Sequence, residues 1–157
     1  MNETIEDRLA RLSIELPDAP TPVANYVPFV VSGALVFISG QIPAWNGELR
    51  QIGQVGSDVE LEDAVQAARL CGLNLIAQAR AAAGGDLDRI AGVVKLGGFV
   101  NAAPGFTDHS KVINGTSDLM VEVFGDRGRH ARFAVGAVSL PFGVGVEVDG
   151  VFELNPS

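Results

Sequence analysis

The sequence predicts an α+β fold in which two long helices pack on one face of a mixed β-sheet, with a short helix at the N-terminus. Two long segments repeat apolar residues at helical spacing, and β-branched and aromatic runs stand before, between and after them. A chain of 157 residues has the size of one domain. We therefore expect a single domain over residues 1–157, in which residues 1–17 form an N-terminal helical extension.

The opening segment predicts the short helix, and the segment after it predicts a β-hairpin. The helix stops at Pro17 because proline cannot continue it. Its apolar positions are Ile5, Leu9, Leu12 and Leu16. Two apolar runs, 26–31 and 34–39, then meet at Ser32-Gly33, which indicates a hairpin. Trp45-Asn46-Gly47 marks a further loop.

Two long amphipathic helices are predicted next. Ser57 and Glu60 form a capping-box pattern, and the apolar face that follows runs to Gly84-Gly85, where the helix ends. The second helix is predicted from about Thr107 to Gly125. Their apolar positions are Leu61, Val65, Ala68, Gly72, Leu75 and Ile76 in the first helix, and Val112, Thr116, Leu119 and Val123 in the second.

The remaining apolar runs predict three strands, at 92–100, 132–138 and 144–154. The first is apolar on both faces, which is typical of a central strand covered on each side. Two long helices cannot coat both faces of a sheet of five or more strands. We therefore expect one sheet face to meet another copy of the protein.

Composition and charge exclude several classes of protein. The net charge of −8 disfavours nucleic-acid binding, and Cys71, the only cysteine, excludes an intramolecular disulfide and a cysteine-based metal cluster. The uncharged stretch 19–47 is broken by four prolines, so we expect no membrane span, and the acidic start predicts no targeting segment. With only two histidines and no metal-binding motif, no metal is expected. These features fit a cytoplasmic protein.

Two charged residues on predicted strands are candidates for chemistry. Arg132 stands beside small residues at 134 and 136, and a guanidinium in such a hollow suits bidentate capture of a carboxylate. On pattern alone a structural ion pair is favoured for Arg132, and a solvated carboxylate for Glu147. His130 has a weaker claim, because a loop histidine without a partner is usually only exposed. Cys71 is interpreted as a buried, inert thiol.

Three separated segments resemble the RidA family, also called YjgF or endoribonuclease L-PSP. They keep the family's order and spacing over about residues 20–154. The segments are Asn25-Tyr-Val-Pro28 with Val36-Phe-Ile-Ser-Gly-Gln-Ile-Pro43; Phe99-Val-Asn101 to Val112-Ile-Asn114; and Arg132-x-x-Val-x-x-x-x-Leu-Pro141 with Val146-Glu-Val148. Further motifs are similar to a longer subgroup labelled YjgF/chorismate-mutase-like putative endoribonuclease. They are Asn114-Gly-Thr-Ser-Asp118, Val123-Phe-Gly125 and Gly128-Arg-His-Ala-Arg132.

The resemblance implies a chorismate-mutase-like fold assembled as a homotrimer, with ligand sites in the clefts between subunits. It also implies a cofactor-independent hydrolase of the 2-iminobutanoate/2-iminopropanoate deaminase type. Such an enzyme converts enamines and imines, for example 2-aminoacrylate and 2-iminopropionate, to 2-keto acids and ammonia. The partner implied is a small carboxylate-bearing metabolite, besides other copies of the chain.

The resemblance also assigns roles to particular residues, and it reverses the interpretations that pattern alone favours for the two charged ones. Arg132 matches the carboxylate-binding arginine and Glu147 the acid associated with water activation. Tyr26 matches the tyrosine at the cleft mouth. The remaining substrate-binding positions are Gly40, whose backbone faces the ligand, Asn114, a polar contact from a helix, and Ala134, a wall position where many members carry cysteine.

Other functions stay open at this point. A trimer that binds a small carboxylate without catalysis, as a regulator, keeps the arginine anchor. The family label suggests an endoribonuclease or translation inhibitor, which the net charge of −8 disfavours. A chorismate-mutase rearrangement rests on the fold alone, and fold does not transfer function.

Overall fold

The computed structural model describes residues 2–22 and 24–156 as an α+β fold built on a five-stranded sheet. The helices are α1 (Ile5–Arg11), α2 (Leu61–Ala82) and α3 (His109–Phe124). The strands are β1 (Phe29–Ser32), β2 (Leu35–Gln41), β3 (Ala44–Trp45), β4 (Glu48–Leu49), β5 (Ile90–Asn101), β6 (Ala131–Ala137) and β7 (Val146–Leu154). The predicted fold class is confirmed.

The main sheet is mixed and has the strand order β1-β2-β7-β5-β6, while β3 and β4 form a separate two-stranded ribbon. Neighbours are antiparallel from β1 to β5, whereas β5 and β6 are parallel. Parallel neighbours need a long crossover, and α3 supplies it. The sheet ends in β6, and α3 precedes this strand in the chain and contacts it.

The two long helices pack side by side on one face of the sheet and bury the core there. Their close approach depends on glycine at two positions. A Cβ on Gly72 would press on Leu119 and Thr116 of α3, and one on Gly115 would meet the backbone of Val65 in α2. The largest buried side chains between the helices and the sheet include Leu75, Ile76, Leu96, Ile113, Leu119 and Phe152.

The opposite face of the sheet exposes a row of apolar side chains. We call this row, Val30, Phe37, Phe99, Phe133 and Val135, the open sheet face. Phe37 is 47% exposed and Val135 43%. Phe99 and Phe133 stack edge to face, with ring centroids 5.3 Å apart. In the part of the chain that the structure describes, neither long helix packs on this face, so the predicted central strand β5 has cover on one side only.

Several element boundaries differ from the sequence prediction. The capping box is wrong, because α2 begins at Leu61 and Ser57 lies in a turn closed on the Gln54 carbonyl. The hairpin turn is Gly33-Ala34, with Ser32 paired to Leu35. The predicted loop at Asn46-Gly47 is the tight turn between β3 and β4. Finally, α1 ends at Arg11, well before Pro17.

The residues that follow α1 run across the molecule as an extended strap, residues 18–22. The Asp18 amide donates a hydrogen bond to Asn46 Oδ1 at 2.8 Å, and Gln78 of α2 donates to the Pro20 carbonyl at 2.6 Å. These two hydrogen bonds tie the strap to the β3–β4 turn and to α2. Within residues 2–22 and 24–156, no helix combines the length and apolar character needed to cross a bilayer.

Candidate active site

Glu147 carries the partly buried carboxylate of the candidate site. It stands on β7 opposite Phe99 of β5, on the face away from the helices. Among residues 2–22 and 24–156 no donor hydrogen-bonds to its side chain and no cation forms an ion pair with it. Burial raises the pKa of Glu147, and the negative charge of Asp149 raises it further. Such a carboxylate is a stronger base than that of an ordinary glutamate, which suits it to accept a proton.

Gly40 lies against the Glu147 carboxylate. The pairing of β2 with β7 shifts register between Ile38 and Gln41, so β2 carries one extra residue there, as in a β-bulge. A Cβ on Gly40 would clash with Glu147 Oε1. Glycine at this bulge is therefore what lets the backbone of β2 approach the carboxylate.

A cleft of about 390 Å³ opens beside Gly40 and Glu147. Tyr26 also lines it and is 55% exposed, which places its ring at the rim. The other lining residues come from the strap, the end of β2, the β3–β4 ribbon, α2 and the loop before β7: Pro20, Thr21, Pro22, Pro28, Ser39, Gln41, Ile42, Ala44, Gly47, Leu49, Gln78, Pro141 and Phe142. We call this the Glu147 cleft. It brings together three of the predicted site residues, Tyr26, Gly40 and Glu147.

Arg132 lies elsewhere, at the junction of β6 and α3. Its Nη1 donates to Ser117 Oγ at 3.0 Å and its Nη2 to the Ser110 carbonyl at 3.1 Å. Both partners are neutral, and no ion pair joins Arg132 to an acid within the described ranges. A guanidinium has five N–H donors, so several remain for an anion. The ion pair favoured by pattern alone is absent from these residues.

His130 holds the serine that holds Arg132. His130 Nδ1 lies 2.6 Å from the Gly128 carbonyl, and Nε2 lies 2.8 Å from Ser117 Oγ. A carbonyl only accepts, so Nδ1 carries a proton. In the neutral ring Nε2 then accepts from the Ser117 hydroxyl, and the Ser117 oxygen accepts from Arg132. We call Arg132, Ser117 and His130 the arginine cluster. The expectation that His130 is merely exposed is wrong, since the ring is partly buried with two partners.

The other predicted binding residues lie near the arginine cluster. Asn114 is exposed on α3, one turn from Ser117 on the same side of the helix. Ala134 shares the face of β6 with Arg132 and packs against the core. The hollow predicted beside Arg132 is partly filled, because His109 Nε2 lies where a Cβ of Gly136 would be.

The Glu147 cleft and Arg132 belong to opposite faces of one sheet. Arg132 pairs with Leu96 of β5, which is buried under the helices, and Glu147 pairs with the exposed Phe99. Paired residues point to the same face, and successive residues alternate. Leu96 and Phe99 are an odd number of positions apart in a part of β5 without a register shift. One chain therefore does not bring Arg132 and Glu147 into a common pocket.

The family model described as "YjgF/chorismate_mutase-like, putative endoribonuclease" matches residues 6–148. "Protein TCP17" of Trypanosoma cruzi is 49% identical over 148 residues, which is 94% of this chain and 92% of that protein. A crystal structure of a protein of unknown function from Agrobacterium tumefaciens is 48% identical, with a TM-score of 0.90 over 96% of this chain and 92% of that chain. An endoribonuclease, so named provisionally, from Shewanella oneidensis is 36% identical, with a TM-score of 0.92 over 96% and 99%.

The fold recurs in more distant solved structures. RidA from an Antarctic Psychrobacter is 26% identical, with a TM-score of 0.60 over 87% of this chain and 94% of that chain. Escherichia coli TdcF, solved with bound serine, is 24% identical, with a TM-score of 0.64 over 90% and 97%.

Proposed function

Since the chain belongs to the YjgF/chorismate-mutase-like family, we propose that it hydrolyses reactive 2-imino and 2-enamino acids to 2-keto acids and ammonia. The reaction takes place in clefts between the subunits of a homotrimer and requires no cofactor. The observation that carries this proposal is the complementary state of two groups. Within residues 2–22 and 24–156, Glu147 is a carboxylate without a cation beside it, and Arg132 is a cation without an acid beside it.

The trimer is part of the proposal because one chain holds only half of each site. The Glu147 cleft has no arginine in its wall among the residues described. Arg132 lies on the other side of the sheet, next to the β6 edge and the exposed Asn114. A neighbouring copy seated on the open sheet face buries its exposed apolar side chains and brings its own arginine cluster to the cleft.

Binding then orients the substrate. The carboxylate of a 2-imino acid is attached directly to the electrophilic carbon, so gripping the carboxylate on Arg132 also places that carbon. Each charge-assisted hydrogen bond contributes about 1.5–3 kcal/mol. Serine, the molecule bound to TdcF, carries the same carboxylate next to a nitrogen-bearing carbon. The hydroxyl of Ser117 keeps the guanidinium in position while it binds.

Glu147 moves the proton. Its carboxylate accepts a proton from water as the water oxygen bonds to the imine carbon, which gives a tetrahedral carbinolamine. The same carboxyl returns the proton to nitrogen, and the C–N bond breaks to release ammonia. The carboxylate takes the hydroxyl proton as the O–H electrons form the keto group, and ammonia carries that proton away as ammonium. The balance is one protonated imine and one water in, and one 2-keto acid and one ammonium out. The raised pKa of Glu147 suits a group that first takes a proton and then gives it back.

The test is the decay of 2-aminoacrylate and 2-iminopropionate generated by a serine dehydratase. The wild-type protein accelerates keto acid formation, and Arg132→Ala and Glu147→Gln each abolish the acceleration. Arg129→Ala is the matched control, because Arg129 is exposed and pairs only with Asp126 among the residues described. Equal rates with wild type and Arg132→Ala contradict the proposal.

A second candidate, a carboxylate-binding regulator without turnover, is favoured by one observation. The Arg132 anchor is complete within one chain, since both hydrogen bonds that hold it come from α3 of the same chain. Calorimetry with pyruvate separates the two functions. Binding that depends on Arg132, without any turnover of the imines, supports the regulator and contradicts the enzyme.

A further inference from the structure

The wall of the Glu147 cleft is mostly apolar. Pro20, Pro22, Ile42, Leu49 and Phe142 contribute rings and aliphatic side chains to it. In the lining described above, Glu147 is the only charged side chain, so the wall offers no cation for a second carboxylate of a ligand.

Three of the polar side chains in the wall are already engaged, and the hydroxyls of Thr21 and Tyr26 are the two that remain open to a ligand. Gln78 donates to the Pro20 carbonyl at 2.6 Å, Gln41 to the Ser39 carbonyl at 2.9 Å, and the Ser39 hydroxyl to the Val27 carbonyl at 2.9 Å. Gln78 is 1% exposed and Gln41 6%, so neither amide is free to turn towards a ligand. A hydroxyl-rich or amide-bearing side chain would lose more hydrogen bonds to water on entering than these two hydroxyls can replace.

The strap makes this wall rigid. Its two prolines have a fixed φ, Gln78 ties it to α2, and the Asp18 amide ties it to Asn46. The preceding helix α1 is itself anchored, since Ile5 and Leu9 are buried and Arg8 donates to the Val123 carbonyl. A rigid apolar wall beside the reacting group selects by the size and polarity of the substrate side chain.

We infer that the strap makes this cleft a pocket for the side chain of the substrate, and that the preferred substrates are 2-imino acids with a branched aliphatic or aromatic side chain. This inference rests on the proposed function, because it takes the reaction at Glu147 as given. The imines of leucine and phenylalanine are thereby favoured over the imines of alanine and serine.

The experiment generates an imine from a single amino acid with an L-amino-acid oxidase in the presence of catalase. Semicarbazide captures the imine, and the decrease in the captured product measures how fast the protein hydrolyses the imine first. The value of kcat/KM for the leucine-derived imine should exceed that for the alanine-derived imine by about tenfold or more. A ratio of one or less overturns the inference. Leu49→Asp, which puts a charge into the wall, should reduce the ratio of the leucine value to the alanine value at least about tenfold. Leu12→Asp, the same change on the exposed end of α1, should alter neither value.

The circular dichroism spectrum and the urea unfolding curve of Leu49→Asp report whether the variant has folded. If the wild type accelerates the hydrolysis of no imine, the proposed enzymatic function fails. The inference of an apolar side-chain pocket is then decided by the binding of product analogues. Calorimetry with 4-methyl-2-oxopentanoate and pyruvate then compares the product analogues. Tighter binding of the branched acid supports the apolar pocket, and equal or weaker binding overturns it.

Discussion

Arg132 and Glu147 project from opposite faces of the same sheet, with β5 between their strands. Each residue has a charge suited to one part of the proposed reaction: Arg132 can bind a carboxylate, and Glu147 can accept a proton. Arg132 is held by neutral groups, and the Glu147 carboxyl has a pKa raised by burial. A small metabolite cannot span a sheet covered by helices on one side. The proposed reaction therefore depends on the arginine of one subunit meeting the glutamate of another.

The first prediction concerns the pH dependence of the reaction. The base form of Glu147 takes the proton from water, and burial raises the pKa of this group above its ordinary value. We expect kcat/KM to rise with pH through a transition that lies above pH 4.5 and to level off when the carboxylate is fully ionised. Stopped-flow assays from pH 4.5 to 8.5 measure this profile. A transition that persists in Glu147→Asp at an unchanged position would assign it to another group.

The stability of Glu147→Gln provides a second prediction. An acid whose pKa is higher in the folded state makes the folded chain bind more protons than the unfolded chain between the two pKa values. The free energy of unfolding therefore falls as pH rises through that window. Glutamine does not ionise, so the variant should be more stable than the wild type at pH 8, with the difference closing below about pH 4. Urea unfolding at both pH values tests this, and a variant less stable at pH 8 contradicts it.

The third prediction treats Ser117 as a positioning residue for Arg132. Ser117→Ala removes the acceptor of Arg132 Nη1 and the donor to His130 Nε2. We expect KM for the imine to rise by about three- to thirtyfold with little change in kcat, and Ser117→Thr to restore it. Ser110→Ala is the control, because Ser110 contacts Arg132 only through its carbonyl. Equal effects of the two alanine variants would show that the Ser117 hydroxyl does not position the arginine.

The fourth prediction concerns the contact between Gly40 and Glu147. In Gly40→Ala the new methyl group would clash with the carboxylate. We expect turnover to fall and the free energy of unfolding to drop by about 1–3 kcal/mol. In the double variant Gly40→Ala/Glu147→Ala the clash is gone, so the alanine at 40 should cost less stability than in the wild-type background. Additive losses in this thermodynamic cycle would mean that the two positions do not interact.

The fifth prediction concerns the open sheet face. Phe133 is 37% exposed, stacks on Phe99, and has the Lys95 ammonium over its ring. A carboxylate placed there should prevent the trimer, because burying it in an interface costs more free energy than an ion pair with Lys95 returns. Size-exclusion chromatography with light scattering should give the mass of a trimer for the wild type and a smaller species for Phe133→Asp. Leu12→Asp should remain a trimer, and an unchanged mass for Phe133→Asp contradicts the assigned interface.

Periodicity predicted the long helices and the strands because those patterns are local. It failed at Ser57, where the backbone closes a turn on Gln54 and leaves α2 to start at Leu61. A capping-box pattern shows only that the side-chain hydrogen bonds are possible. Here Ser57 forms a turn with Gln54 instead of capping α2. The same limit explains the hairpin turn, which lies one residue later than the pattern indicated.

The site was less accessible to sequence reasoning, since its groups meet through long-range pairing. Gly40 reaches Glu147 only because β2 pairs with β7 and bulges there. The pattern on β7 described Glu147 as a solvated carboxylate, and the resemblance to a family was needed to single it out. Ser117 stands within the motif Asn114-Gly-Thr-Ser-Asp118, but the sequence assigned it no role, because a serine on a helix surface is common. Only the position of α3 beside β6 brings it to Arg132.

Mixing two inactive variants tests the central claim most directly. Arg132→Ala and Glu147→Gln are each expected to be inactive as homotrimers, and subunits exchanged by co-refolding in equal amounts form mixed trimers. If each site takes its arginine from one chain and its glutamate from a neighbour, the mixture should regain about one quarter of the wild-type activity, since both intact groups then meet at a quarter of the interfaces. A mixture that stays as inactive as its components, despite proven subunit exchange, contradicts a site shared between chains.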